Sequence, residues 1–209
     1  MPPSMDAELE CLARCVYALQ HWFWVSNLQL NPDKSDVAFF WTPQRLKKSS
    51  PPTLATVTSC SIVMSNRLKV LGVTLNSSLT FERHIDDSVK ACNFHLHALS
   101  HIRRSHSNDT AKTVAHCIVG SRINYCNAVL LEAPWRRIVK LQRVQGNLAS
   151  VVIDVSIRNL HDSSRNRFDL VRDLHWLLIN SHLTFKLATS CCKKHHFGQP
   201  SYISNLLHQ

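Results

Sequence analysis

Three groups of side chains have the types and spacing for chemistry. The first is Asp86-Asp87, the chain's one adjacent carboxylate pair. Paired carboxylates that hold two metal ions run phosphoryl transfer. This pair, however, follows His84-Ile85 inside a segment, Phe81 to Arg103, whose apolar residues recur with a helical period. Adjacent helical positions point about 100° apart, so the two cannot close on one metal. The expectation is a solvated first helical turn and no metal site. The second group is Cys191-Cys192-Lys193-Lys194-His195-His196. Zinc sites gather two separate pairs of thiols and imidazoles around one ion. Here Cys192 and His196 stand four apart on one helix, and no second pair is evident. The expectation is a helix end whose cations suit the dipole. Cys126 with His116 or His84 would make a thiol nucleophile only if the fold joined them.

The third group is basic. Residues 101–147 hold Arg103, Arg104, Lys112, Arg122, Arg136, Arg137, Lys140 and Arg143 against Asp109 and Glu132, a net +6. Arg136, Lys140 and Arg143 stand four and three apart, on one face of a helix, and form a stripe that could contact phosphates. Such binding is non-specific and strongly salt-dependent.

The whole chain agrees with that sign. It has 209 residues, a formal charge of +10 and 44% hydrophobic residues. Residues 1–41 carry a net −3, so the excess lies downstream. The apolar fraction excludes wholesale disorder, and four glycines exclude Gly-rich linker classes. The eight cysteines follow an acidic N-terminus rather than a secretory leader, so free thiols in a reducing compartment, nucleus or cytoplasm, are expected. The longest uncharged run, Cys15 to Pro32, is too polar to span a bilayer.

These residues need elements to hold them. Asp6 to Asn27 reads as a helix with Leu9, Leu12, Val16, Leu19 and Phe23 on one face. Asn31-Pro32-Asp33 is a turn. Strands are expected at Asp36–Thr42, Leu54–Cys60, Ser61–Met64 and Leu68–Leu75, the last with Gly72 inside it. Pro43 to Pro52 is a basic loop. From Ser78 the chain reads as helical. Ile85, Val89, Cys92, Leu96, Leu99 and Ile102 form one seam. Asn108 caps a helix running to about Val119. Pro134 opens another over Trp135–Val152, with Ile138, Leu141, Val144 and Leu148 inward. Asp154–Arg167 is irregular, Asp169–Leu174 and His182–Lys194 are helical, and Tyr202–Leu207 is a final turn. The fold class is therefore α+β: one N-terminal helix with a small antiparallel sheet over residues 1–77, then a helical bundle over 78–209.

A series of segments in order carries a family resemblance. Leu28-Gln29-Leu30-Asn31-Pro32-Asp33-Lys34-Ser35-Asp36 resembles the "L-x-L-N-x-x-K-[ST]-E" segment of LINE-type (non-LTR) retrotransposon reverse transcriptases. Leu71-Gly72-Val73-Thr74-Leu75, running on to Phe81 and His84-Ile85, resembles their "L-G-V-x-x-D-x-x-L-x-F-x-x-H-I". Ser121-Arg122-Ile123-Asn124-Tyr125-Cys126-Asn127 resembles "S-R-L-D-Y-C-N". Leu141-Gln142-Arg143-Val144-Gln145 and Leu174-His175-Trp176-Leu177 keep the family's order, which Gln199-Pro200-Ser201-Tyr202 ends. Departures are Asp36 for Glu, Asn76 and Asn124 for Asp, Ser150 for a usual Arg, and Leu178 for a usual Pro.

The resemblance implies that residues 1–77 are the C-terminal piece of a polymerase palm and 78–209 its thumb with an extension. Lys34 then matches a palm lysine near the incoming nucleotide. Leu71-Gly72 matches the turn where the backbone meets the primer, and the thumb helices lie along an RNA–DNA hybrid. The family's Mg2+ ions are held by an early Asp and a Tyr/Phe-Ala-Asp-Asp turn, and neither is in this sequence. The expected function is a non-catalytic, backbone-binding remnant of a truncated element, without a cofactor. The alternatives are a fragment that complements a separate catalytic palm, or a translated relic.

Overall fold

The computed structural model describes residues 5–42, 44, 54–57, 60–155, 166–198 and 200–201. The expected basic loop Pro43–Pro52 (apart from Gln44), most of the irregular stretch Asp154–Arg167, and the turn Tyr202–Leu207 lie outside them. The architecture is mixed α+β and mostly helical, with small sheets. The chain divides into two compact units, Met1–Leu79 and Thr80–Gln209.

In the first unit, α1 spans Met5–Val25. It ends on Asn27, whose φ of 56° is left-handed. The Leu28 amide donates to the Phe23 carbonyl at 2.8 Å and the Asn27 amide to Trp24 at 3.0 Å. This paired return satisfies the last carbonyls, and Asn tolerates the conformation it needs. The expected apolar stripe is only partly covered. Leu9, Val16 and Phe23 are half-buried, while Leu12 and Leu19 stay exposed.

The sheet expectation needs correction. Among the described residues there are two sheets, and one of them is mixed. β1 (Val37–Ala38) runs parallel to β3 (Cys60–Ser65), which pairs antiparallel with β2 (Leu54–Val57). Parallel strands cannot be joined by a tight hairpin, and β1 and β3 stand well apart in the sequence. β1 is two residues long, not seven. Beyond it, Trp41 leaves the ladder and donates its amide to the Ser77 carbonyl. The expected single strand Leu68–Leu75 is a hairpin of β4 (Arg67–Val70) and β5 (Val73–Asn76). Leu71 and Gly72 form its two-residue turn with φ of 46° and 82°. Two positive φ values fit the primed turn that matches strand twist.

The second unit is built on two long helices, α2 (Glu82–Ile102) and α5 (Trp135–Ile153), packed together. Between them come a 3-10 turn at Arg103–Ser105, α3 (Asn108–Ala115), a π turn at His116–Gly120, α4 (Ser121–Asn124) and a 3-10 turn at Asn127–Leu130. α6 (Arg167–Asp173) and α7 (Ile179–Phe197) follow. Ile85, Cys92 and Leu99 meet Ile138, Leu141, Val144, Leu148 and Val152 in one core, closed by Val119, Ile123, Ile179 and Leu183. The two apolar seams read from periodicity are thus the two halves of this core. The exception is Ile102, which is 46% exposed.

Local chemistry moves several boundaries. Ser107, not Asn108, caps α3, its hydroxyl accepting from the Thr110 amide. α3 stops at Ala115, because the chain widens into the π turn, where the Ser121 amide reaches the His116 carbonyl. α6 starts earlier than expected, on a capping box in which Asn166 and Asp169 bond each other's amides. At Gly146 on α5 the side chain of Arg167, the first residue of α6, lies close. A Cβ there would meet the Arg167 side chain at 2.9 Å. Ser150 is 1% exposed and donates its hydroxyl to the Gly146 carbonyl. Its position is interior, not on the basic face.

Candidate nucleic-acid interface

The basic stretch 101–147 divides into structural cations and surface cations. Arg103 is only 6% exposed. Its Nε donates to the carbonyls of Val151 at 3.1 Å and Val152 at 2.9 Å, and one terminal nitrogen donates to His106 O at 2.9 Å. The other terminal nitrogen meets the Asn108 side chain. A cation here satisfies late carbonyls of α5 and favours the negative end of its dipole. Arg103 therefore joins α2, α3 and α5, and it leaves the expected phosphate-binding stripe.

Within α5 the expected trio also splits. Lys140 Nζ lies 2.5 Å from Asp86 Oδ1 of α2. Arg137 bonds Asp86 Oδ2 at 3.2 Å and Glu82 Oε2 at 2.9 Å. The Lys140 hydrogen bond holds the Asp86 carboxyl below its usual range. Burial opposes this, while the charges of Lys140, Arg137 and Lys90 assist. Asp86 is thus an ion-pair partner in the helical turn where the sequence put it. Its neighbour Asp87 pairs instead with Arg83 at 3.2 Å, on the outer side.

Arg136 and Arg143 remain. Both are exposed, and among the described residues neither is in an ion pair or hydrogen bond. They stand seven apart, two helical turns, so their side chains leave the same face about 10 Å apart along the axis. α5 has no acidic residue in its first turn. Its positive dipole end therefore adds to the potential at Arg136 rather than being cancelled. Exposed Trp135 sits beside Arg136 and offers an aromatic face that charge counting does not detect.

The other expected positions are placed as follows. Arg122 is exposed on α4, and its charge is felt by Cys92 of α2. Lys34 closes a 3-10 turn, Pro32–Lys34, that Asn31 caps through the Asp33 amide at 2.9 Å. Its side chain is exposed. Leu71 is 84% exposed at its hairpin turn.

No protein-family model matches the chain, and no curated protein or solved structure does. Chemistry must be read from the side chains themselves. Among the described residues, no three His, Cys, Asp or Glu gather as metal ligands. Cys191, Cys192, His195 and His196 are exposed in the last turns of α7. Cys126 is exposed at a φ of 47°, and its charge and hydrogen bond raise the Tyr125 phenol, with desolvation between them in weight. No helix among the described residues is long and apolar enough to cross a membrane.

Sequence reading missed a cavity beside the π turn, lined in part by His116, Trp176 and His182. These residues come from three separate stretches, and no local spacing links them.

Proposed function

We propose that this chain is a reverse-transcriptase-like binder of nucleic-acid backbone, similar in its motifs to the C-terminal palm and thumb of LINE-type retrotransposon polymerases. Residues 1–77 correspond to the palm piece and 78–209 to the thumb. Its ligand is an RNA–DNA hybrid or another polyanionic duplex, bound through phosphates without sequence preference, inside the cell and without a cofactor. The observation that carries this reading is the pair Arg136 and Arg143. Among the described residues they have no ion-pair partner, and they share one face of α5, while Arg137 and Lys140 beside them are neutralised by α2. Two free guanidiniums on a rigid helix match phosphate spacing and cost little to organise. The exposed Leu71-Gly72 turn agrees with a backbone that approaches a primer.

Catalysis is not part of the proposal. Positioning without metal-holding carboxylates does not run nucleotidyl transfer. The sequence contains no Tyr/Phe-Ala-Asp-Asp turn, and its one Asp-Asp pair is committed to ion pairs. Fluorescence anisotropy with a labelled RNA–DNA hybrid tests the binding. Saturable binding at low salt supports it, and a folded chain that leaves the hybrid free overturns it.

One observation favours a second role alongside the first. α1 exposes Tyr17, Trp22 and Trp24, and Phe40 is 40% exposed in the same unit. Tyr17 and Trp24, seven apart, share one face of α1, and exposed aromatics there suit docking on a separate catalytic palm. Primer extension that appears only on mixing this chain with a fingers–palm piece would establish that role.

A further inference from the structure

A cavity of about 250 Å³ opens in the second unit. His116, Gly120, Asn124, Gln145, Trp176 and His182 line most of it. A second hollow of about 350 Å³ shares His175, Trp176 and Leu177 with the first, and adds Arg172 and Ser181. Neither belongs to the phosphate face. Gln145 lies two positions on from Arg143, roughly 200° round α5.

We propose that the two adjoining hollows bind one nucleotide, its base in the His116–Trp176–His182 cavity and its phosphate against Arg172. The aromatic wall is already in place. Trp176 is half-buried, packs against both core clusters of this unit and still lines both hollows, so little freedom is lost when a base stacks on it. The polar groups suit a base edge. His116, His175 and His182 have no hydrogen-bond partner for their rings among the described residues. Desolvation, then Lys186 and His116, lower the pKa of His182, so at neutral pH it offers one donor and one acceptor. Asn124 keeps its amide donors, because its oxygen accepts from Asn127. The Gln145 amide is already committed to the Leu177 carbonyl and to Gln142, and it fixes the floor.

The second hollow suits an anion. No Asp or Glu lines either space. Arg172 is exposed and in no ion pair among the described residues. Ser181 stands in the first turn of α7, which has neither an acidic residue nor a side-chain cap. A phosphate there would meet a guanidinium, a hydroxyl and the positive end of a helix. The π turn completes the cavity. It displaces the helix wall, and Gly120 on it carries no side chain into the space.

A nucleotide of this kind comes free or as one residue of a single strand. Calorimetric titration with AMP, adenosine, inorganic phosphate and oligodeoxyadenylate separates these sources. Gly120 is right-handed helical with φ of −58°, and a Cβ would meet the His116 ring at 3.4 Å and the Ala115 carbonyl at 3.8 Å, both without a clash. Gly120→Leu therefore suits the backbone and fills the cavity. Arg172→Gln removes the guanidinium at an exposed site. Melting curves accompany both variants. We expect saturable AMP binding that Gly120→Leu abolishes and Arg172→Gln weakens about tenfold, the loss of one charge-assisted contact. Adenosine should bind the wild type as weakly as AMP binds Arg172→Gln. If only the oligonucleotide titrates, with the same response to both variants, the nucleotide belongs to a strand. If Gly120→Leu changes neither AMP nor oligonucleotide binding, or adenosine binds as tightly as AMP, the proposal is wrong. Arg136→Ala with Arg143→Ala should leave AMP affinity unchanged, so this site and the backbone face stand or fall separately.

Discussion

Arg103 Nε donates to the Val152 carbonyl at 2.9 Å, across 49 residues of chain. The side chain looks like part of a basic surface in the sequence, yet it closes the far end of α5. Removing it strands late helix carbonyls away from water. We expect Arg103→Met to cost about 3 kcal/mol, the usual scale for disrupting a buried, hydrogen-bonded charge site. Urea unfolding checks this. A loss below about 1 kcal/mol would mean that water replaces the guanidinium.

Gly146→Ala sets helix propensity against packing. Alanine should gain up to about 1 kcal/mol from propensity alone. The new methyl would meet Arg167 Cβ at 2.9 Å, closer than carbon atoms tolerate. Overpacking costs about 1–3 kcal/mol, so the net change should be destabilising. A raised melting temperature would show that α6 moves aside freely.

The Asp86 ion pairs should appear in the pH dependence of stability. Its folded pKa lies below the ordinary carboxylate value, chiefly because of the Lys140 hydrogen bond. A depressed carboxylate contributes stability above its unfolded pKa, and that contribution is lost as pH falls through the folded value. Asp86→Asn should therefore lower the melting temperature at pH 7 and flatten the acid limb below about pH 4. It should also release Lys140, while Arg137 keeps its ion pair with Glu82, and so tighten hybrid binding at low salt. Equal melting temperatures at pH 7 would dismiss the ion pairs as stabilising contacts.

Cys92 should be silent to alkylation in the folded chain. It is fully buried on α2, and burial pushes its thiol up to about 11. Iodoacetamide at pH 8 should modify the exposed Cys11, Cys15, Cys117, Cys126, Cys191 and Cys192 and spare Cys92 until denaturant is added. Early labelling of Cys92 would mean that the α2–α5 core opens readily.

How far the sequence could be read depends on the range of each interaction. Periodicity is local, so the seams of α2 and α5 were legible, and so were the residues facing across them. Helix ends set by neighbours were not. Ser107 and Asn108 are both good caps, and Asn108 is diverted to Arg103. The hairpin at Leu71-Gly72 read as a continuous strand because Leu71 is apolar. Its exposure and positive φ come from the turn, which only the β4–β5 register reveals. The basic face was legible as charge but not as availability. Nothing in the order of residues says that Asp86, 54 positions before Lys140, neutralises it. The cavity beside the π turn was illegible for the same reason, as its imidazoles meet only in the fold.

The central claim is that Arg136 and Arg143 contact phosphates. Its most direct test is hybrid affinity against salt concentration, for the wild type and for Arg136→Ala with Arg143→Ala. Each cation that neutralises a phosphate contributes roughly one unit to the slope of log K against log salt. The wild type should weaken steeply with salt, and the double variant should lose about two units of slope while its melting curve stays unchanged. A double variant with the wild-type slope would contradict the claim, and would leave α5 as a helix whose exposed arginines serve solubility alone.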